Sequence, residues 1–233
     1  MIITMKALHQ YLLNFRFDKN TKEGKKTEYK EILLKQNRIS VYINEFWTSK
    51  QRQAASIHEI SYRACFKPQL PRFFINLLTK PNQVVYDPFS GRGTTPIEAG
   101  LLGRIVISND INPLSRILTE PRMELPKLIE IEKRLKNLEL NSDSVTDIDL
   151  SMFYHKQTES ELVCLRNYLI SVRKNGQEDS CDRWIRMVAT NRLTGHSSGF
   201  FSVYTLPPNQ ATSQARQIKI NKKRKIRGWV LRC

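Results

Sequence analysis

Cysteine is scarce and never paired at short spacing. Cys65, Cys164, Cys181 and Cys233 are the only four, and no C-x-x-C occurs. That excludes a zinc ribbon and a disulfide scaffold, and predicts reduced thiols of the kind a cytoplasm maintains. Long apolar runs are missing as well. The opening "MIITMKALHQYLLNFRF" is broken by Lys6, His9 and Gln10 and has no small-residue cleavage site, so neither a secretory signal nor a membrane span is expected. The predicted chain is soluble and cytoplasmic, without a membrane partner. His58, His155 and His196 are scattered at spacings that do not converge on a metal, so no metal site is predicted. Ser197 and Ser198 in "GHSSGFF" lack the strand-to-helix setting of a nucleophile elbow. Negative charge is missing from a whole region: between Arg183 and Cys233 there is no Asp or Glu, against eleven Lys and Arg. Such a stretch is a phosphate-contacting surface or a solvated tail.

What is present is a chain of 233 residues, 40% hydrophobic, with a net charge of +16 and a pI near 9.9. That length supports one core with a helical addition, and the charge calls for an anionic partner, nucleic acid before acidic protein or lipid. Residues 1–46 read as an N-terminal extension, Lys-rich and lightly structured through "FDKNTKEGKKTEYKE", then helical from Tyr29 to Trp47. Pro68 and Pro71 predict a loop before the helix "RFFINLLTK". "QVVYDPF" is then a strand ending at Asp87, "TTPIEAGLLG" a helix with Pro96 near its start and Gly103 past its end, and "RIVISNDINP" a second strand. Residues 126–199 have helical periodicity in three segments, and residues 200–233 hold a short strand, "FFSVY", a loop and a basic helix or tail.

The strand–loop–helix turn "DPFSGRGTT" carries the chemistry. It has no Lys to coordinate phosphates, which excludes the P-loop reading. Gly91 and Gly93 satisfy the first half of G-x-G-x-x-G, but Pro96 holds the third position, which weakens a nicotinamide reading. What remains is a turn whose glycines admit a ligand to the backbone at a helix N-terminus. Asp110 ends the next strand 23 positions after Asp87, near the spacing at which an acid accepts hydrogen bonds from ribose hydroxyls, so a nucleoside-containing cofactor is implied. The alternative makes Asp87 and Asp110 simple caps or turn residues.

"DPFSGRGTT", "SNDINPLS" and "FKPQLPRFF" together resemble the S-adenosylmethionine-dependent DNA methyltransferases that act on N4 of cytosine or N6 of adenine, over Trp47 to Arg122. The resemblance implies an α/β fold with a Rossmann-like methyltransferase sheet, here incomplete, whose cofactor-binding portion runs over 47–125 with a helical insertion after it. It assigns the methionine part of S-adenosylmethionine to Asp87, Pro88, Phe89, Ser90, Gly91, Gly93 and Thr94. It assigns the ribose to Asp110, the adenine to Ile111, and the methionine end to Phe66, whose other reading is an ordinary core aromatic. It also implies DNA as partner and a place in restriction–modification.

The chain departs from that family in one respect. Amino methylation uses Asp, Asn or Ser before Pro-Pro-aromatic to hold and stack the flipped base. The only Pro-Pro here lies in "YTLPPNQ", with Leu206 and Asn209 at the polar and aromatic positions, so it reads as a loop and the catalytic residues stay unassigned. The expectation is a truncated N-terminal portion, or a chain whose catalytic motif comes from a partner or a missing C-terminal part. An RNA methyltransferase and a non-catalytic nucleic-acid-binding fragment are the alternatives.

Overall fold

The computed structural model describes residues 3–16, 26–46, 54–140, 144, 146, 148–195, 197–201, 207–210 and 212–226. These form two compact units, one of residues 1–58 with 66–109 and one of residues 59–65 with 110–233.

The first unit begins with helix α1, Met5–Asn14, capped by Thr4, whose Oγ1 accepts the Ala7 N–H. The sequence reading of a lightly structured opening missed this helix. The helix expected from Tyr29 to Trp47 is also corrected: β1 (Glu28–Leu34) and β2 (Asn37–Ile43) pair antiparallel, with Lys35 at a φ of 55° in the turn. The physical reason is cross-strand packing that no helix face could make. Tyr29 lies opposite Tyr42 with ring centroids 5.4 Å apart, and His9 of α1 meets both rings edge-on, its Nδ1 2.6 Å from the Tyr42 hydroxyl. β-Branched Ile32, Ile39, Val41 and Ile43 add strand preference that outweighs an ambiguous helical period. An aromatic knot of Phe15, Phe46 and Phe73 ties this part to α2, Gln69–Leu78. Pro71, expected in a loop, sits in the first turn of α2, where its missing N–H has no helical acceptor to satisfy.

The strand–helix–strand unit forms where the sequence places it. β3 (Val84–Asp87) and β4 (Ile105–Ser108) pair in parallel, Val84 opposite Ile105 through Asp87 opposite Ser108, and α3 (Thr94–Leu101) connects them. Gly103, at a φ of 71°, closes α3. Strands of a parallel sheet are ordinarily covered on both faces, but here Val84, Tyr86, Ile105 and Ile107 are exposed. Among the described residues there are only two sheets, each of two strands.

The second unit is helical: α4 (Pro113–Met123), α5 (Leu128–Asn137), α6 (Lys156–Lys174), α7 (Ser180–Asn191) and α8 (Gln214–Arg224). Its core joins Leu118 of α4 and Met187 of α7 to Ile60, with Tyr62 and Trp184 against them. Arg134 of α5 staples the other helices, donating to Asp179 (2.6 Å) and to Asp182 of α7 and to the Tyr168 hydroxyl of α6 (3.1 Å). The basic C-terminal segment is helical in α8, anchored by amides: Asn221 Nδ2 donates to Met152 O (2.8 Å) and Gln217 Nε2 to Phe201 O (3.3 Å), while Arg216, Lys219, Lys222 and Lys223 stay exposed. Most of "FFSVY", Leu206 and the end from Arg227 lie outside the described residues.

Candidate functional site

The turn between β3 and α3 is built from hydrogen bonds that the local sequence supplies. Asp87 Oδ1 accepts the Phe89 N–H (3.0 Å), an Asx-turn that bends the chain directly after the strand. Ser90 is buried and acts as the rivet: its N–H donates to Asn109 O (3.0 Å), its hydroxyl donates to Asp87 O (3.1 Å), and the Ser108 hydroxyl donates to it (2.7 Å). The turn is thereby held to the end of β4. Gly91 and Gly93 then take φ values of 53° and 84°, left-handed conformations that a Cβ disfavours. Gly93 N–H closes back on Ser90 O (2.7 Å), and buried Thr94 opens α3.

Beneath the turn lies a charged group that sequence reasoning did not single out. Glu98 of α3 is 2% exposed, with Oε1 2.8 Å from His58 Nε2 and Oε2 accepting from Arg72 of α2 at 3.0 Å. Burial pushes the Glu98 carboxyl up, but the hydrogen bonds and charges of His58 and Arg72 outweigh it and leave its pKa below the usual carboxylate range. Arg92, inside the turn, donates to Thr94 Oγ1 (3.2 Å) and to His58 O (3.2 Å). His58 thus braces the turn through its side chain and its carbonyl. The sequence signal was faint, because a lone His and a helical Glu forty residues apart carry no motif.

The other residues assigned from sequence are placed individually. Phe89 projects from the turn at 85% exposure, Pro88 is exposed, and Phe66 precedes α2 with its ring partly exposed. Asp110 and Ile111 follow β4 directly in the chain and open the second unit. Asp110 Oδ1 accepts the Asn112 N–H (2.8 Å), Asn112 caps α4, and Ile111 is fully exposed. Large apolar side chains this open to water are suited to flat or apolar ligand surfaces. Among the described residues, no three His, Cys, Asp or Glu lie together as a metal group would, and no helix is long and apolar enough to cross a membrane. Leu206 and the Asn209 side chain of the Pro-Pro segment lie outside the described residues.

Comparison with known proteins bears on residues 4–117, which match the family model described as DNA methylase. The chain is 32% identical over 98 residues to the type II methyltransferase M.MvaI of Kocuria varians, covering 41% of this chain and 20% of that one. It is 26% identical over 91 residues to the type II methyltransferase M.MjaII of Methanocaldococcus jannaschii, covering 39% of this chain and 17% of that one. The match therefore spans about a fifth of each relative's length. No solved structure matches the chain. The family match begins well upstream of Trp47, where the resemblance in the motifs starts, and takes in α1 and the β1–β2 hairpin. Residues 4–117, with the turn from Asp87 to Thr94 in their last third, belong to the amino-methyltransferase family of DNA methylases.

Proposed function

We propose that this chain binds S-adenosylmethionine and serves methyl transfer to an exocyclic amine of DNA, N4 of cytosine or N6 of adenine. The observation that carries the reading is the turn itself: two left-handed glycines beside a serine riveted to both strands, with Phe89 standing free at its edge. The donor set fits the cofactor. Glycines without Cβ admit the amino-acid portion to the backbone and exposed Phe89 offers apolar surface at the turn, while the family likeness gives Phe66 to the methionine end, the Asp110 carboxylate to ribose hydroxyls and Ile111 to adenine. When bound, the cofactor supplies an activated methyl on a sulfonium. The residues named here would orient it and exclude water, so alignment carries the rate. In this reading β3, α3 and β4 are the first βαβ unit of a Rossmann-like sheet, within a cofactor-binding portion at 47–125.

A second reading has an observation of its own. The only Pro-Pro has Leu206 and Asn209 at the positions where a base-holding polar residue and an aromatic belong, and the apolar face of β3 and β4 is uncovered. A partner polypeptide bringing further parallel strands and the catalytic motif would satisfy both.

Isothermal titration with S-adenosylmethionine and S-adenosylhomocysteine tests the cofactor reading. Saturable binding that weakens strongly in Asp110→Ala is expected; no heat, or a variant indistinguishable from the parent, refutes it. Transfer of labelled methyl to duplex DNA but not to RNA supports the DNA reading, and the reverse replaces it with RNA methylation. Salt-sensitive DNA binding with no transfer selects a non-catalytic or partner-dependent role.

A further inference from the structure

The second unit carries a cavity of about 260 Å³ between α4, the end of α6 and α7, lined by Arg116, Arg173, Arg183 and Arg186 with Glu120 and Glu178. Four guanidinium groups face two carboxylates, and Glu124 pairs with a third from outside the lining, leaving a surplus of one positive charge. Three arginines are partly committed. Arg116 donates to both Glu120 oxygens (2.8 and 3.3 Å), Arg183 donates to Glu124 (2.6 Å), and Arg186 pairs with Glu178 and donates to Leu169 O (2.9 Å). Two donors are left over. Arg183 Nε is buried with no acceptor among the described residues, and the Arg173 side chain makes no hydrogen bond or ion pair there, although its charge reaches Glu120.

The exposed Arg173 guanidinium in a positively charged concavity is left to water, and a ligand with several anionic oxygens would engage it by charge-assisted hydrogen bonds. Guanidinium forks match the tetrahedral oxygens of phosphate and hold them by paired, charge-assisted hydrogen bonds. We propose that this arginine cavity is a phosphate site that takes a phosphodiester of a nucleic-acid backbone. A backbone is favoured over a free phosphorylated molecule by the net charge of +16 and by the exposed Lys219, Lys222 and Lys223 of α8 in the same unit. Backbone phosphates set register without reading bases. The site would thus hold the duplex and leave target choice to other residues. The inference rests on the proposal that DNA is the partner, and is independent of the cofactor turn.

Its test is fluorescence anisotropy of a labelled duplex titrated with the full chain, from about 50 to 200 mM salt. The parent is compared with Arg173→Ala, Arg173→Glu and the Arg116→Ala/Arg173→Ala double variant. Arg173 and Arg116 are exposed, and unchanged circular dichroism and melting would show that folding is intact. The expected result is a salt slope lower by about 1 for each arginine removed, uniformly across duplex sequences, with Arg173→Glu binding more weakly than Arg173→Ala. Affinity and slope equal to the parent's in all three variants overturn the proposal. A parent that ignores the duplex, yet melts higher with inorganic phosphate while Arg173→Ala does not, also overturns it, assigning the cavity to a free phosphate. The cofactor titration judges the methyltransferase reading separately.

Discussion

Replacing Glu98 by Gln keeps the shape beneath the turn and removes one charge. Glu98 is 2% exposed and makes two bonds, 2.8 Å to His58 Nε2 and 3.0 Å from Arg72 Nη1. A hydrogen bond to a charged group contributes about 1.5–3 kcal/mol against about 1 kcal/mol for a neutral one, so the His58 arm loses about 1–2 kcal/mol. The Arg72 side chain is 51% exposed, and its arm is discounted to the surface range of about 0–1 kcal/mol. The expected loss is about 2 kcal/mol at neutral pH. Its pH dependence has a definite sign. Because the folded-state pKa of Glu98 is lowered, its ionisation stabilises the fold above the ordinary carboxylate pKa, and this is lost as pH falls through the folded value. The parent should therefore lose stability on acidification faster than Glu98→Gln, and the two unfolding curves should converge at low pH. Urea unfolding at neutral pH and in the acid range measures both quantities. A neutral-pH difference below about 0.5 kcal/mol, or a gap between the two that does not narrow in acid, refutes the account of the brace.

Gly91→Ala and Gly93→Ala should each cost about 1–2 kcal/mol, since φ values of 53° and 84° bring Cβ against the carbonyl, and cofactor affinity should fall with them; thermal melting with titration checks both. Arg134→Ala should destabilise the helical unit by about 3 kcal/mol, because it strips Asp182, which is 1% exposed, of its charged partner and leaves only Tyr168 and the Asp179 backbone. A shift in denaturation midpoint below a third of that would show that the staple is not what holds α5 to α7. Asn221→Ala should loosen α8, since it removes one of the two acceptors of Gln217 Nε2 and the donor to Met152 O, and faster tryptic cleavage at Lys222 and Lys223 reports it.

The turn from Asp87 to Thr94 was legible because its determinants are local. Asp, Ser and two glycines within eight positions leave few backbone paths, and the structure follows the path they define. The three segments of the helical block were legible for the same reason, α6 and α7 burying residues at helical spacing and α5 turning only Ile131 and Arg134 partly inward. The β1–β2 hairpin was not, because its pattern suits helix and strand alike until His9 meets Tyr29 and Tyr42 edge-on, a contact set by α1 twenty and more positions away. α1 itself gains its place from Phe15 against Phe73 of α2, which no local signal announces.

By itself the sequence determined the strand–turn–helix–strand order, the conformation of the glycine turn, the family likeness and the strong positive charge. All of these depend on neighbours within a few residues or on composition. Only the tertiary structure decided that His58, Arg72 and Glu98 form one buried brace, that four arginines from three helices share a cavity, and that the basic C-terminal segment folds back as α8 on amide anchors. Those arrangements join residues tens of positions apart. Their energies arise from shared burial and charge pairing, which linear spacing does not encode.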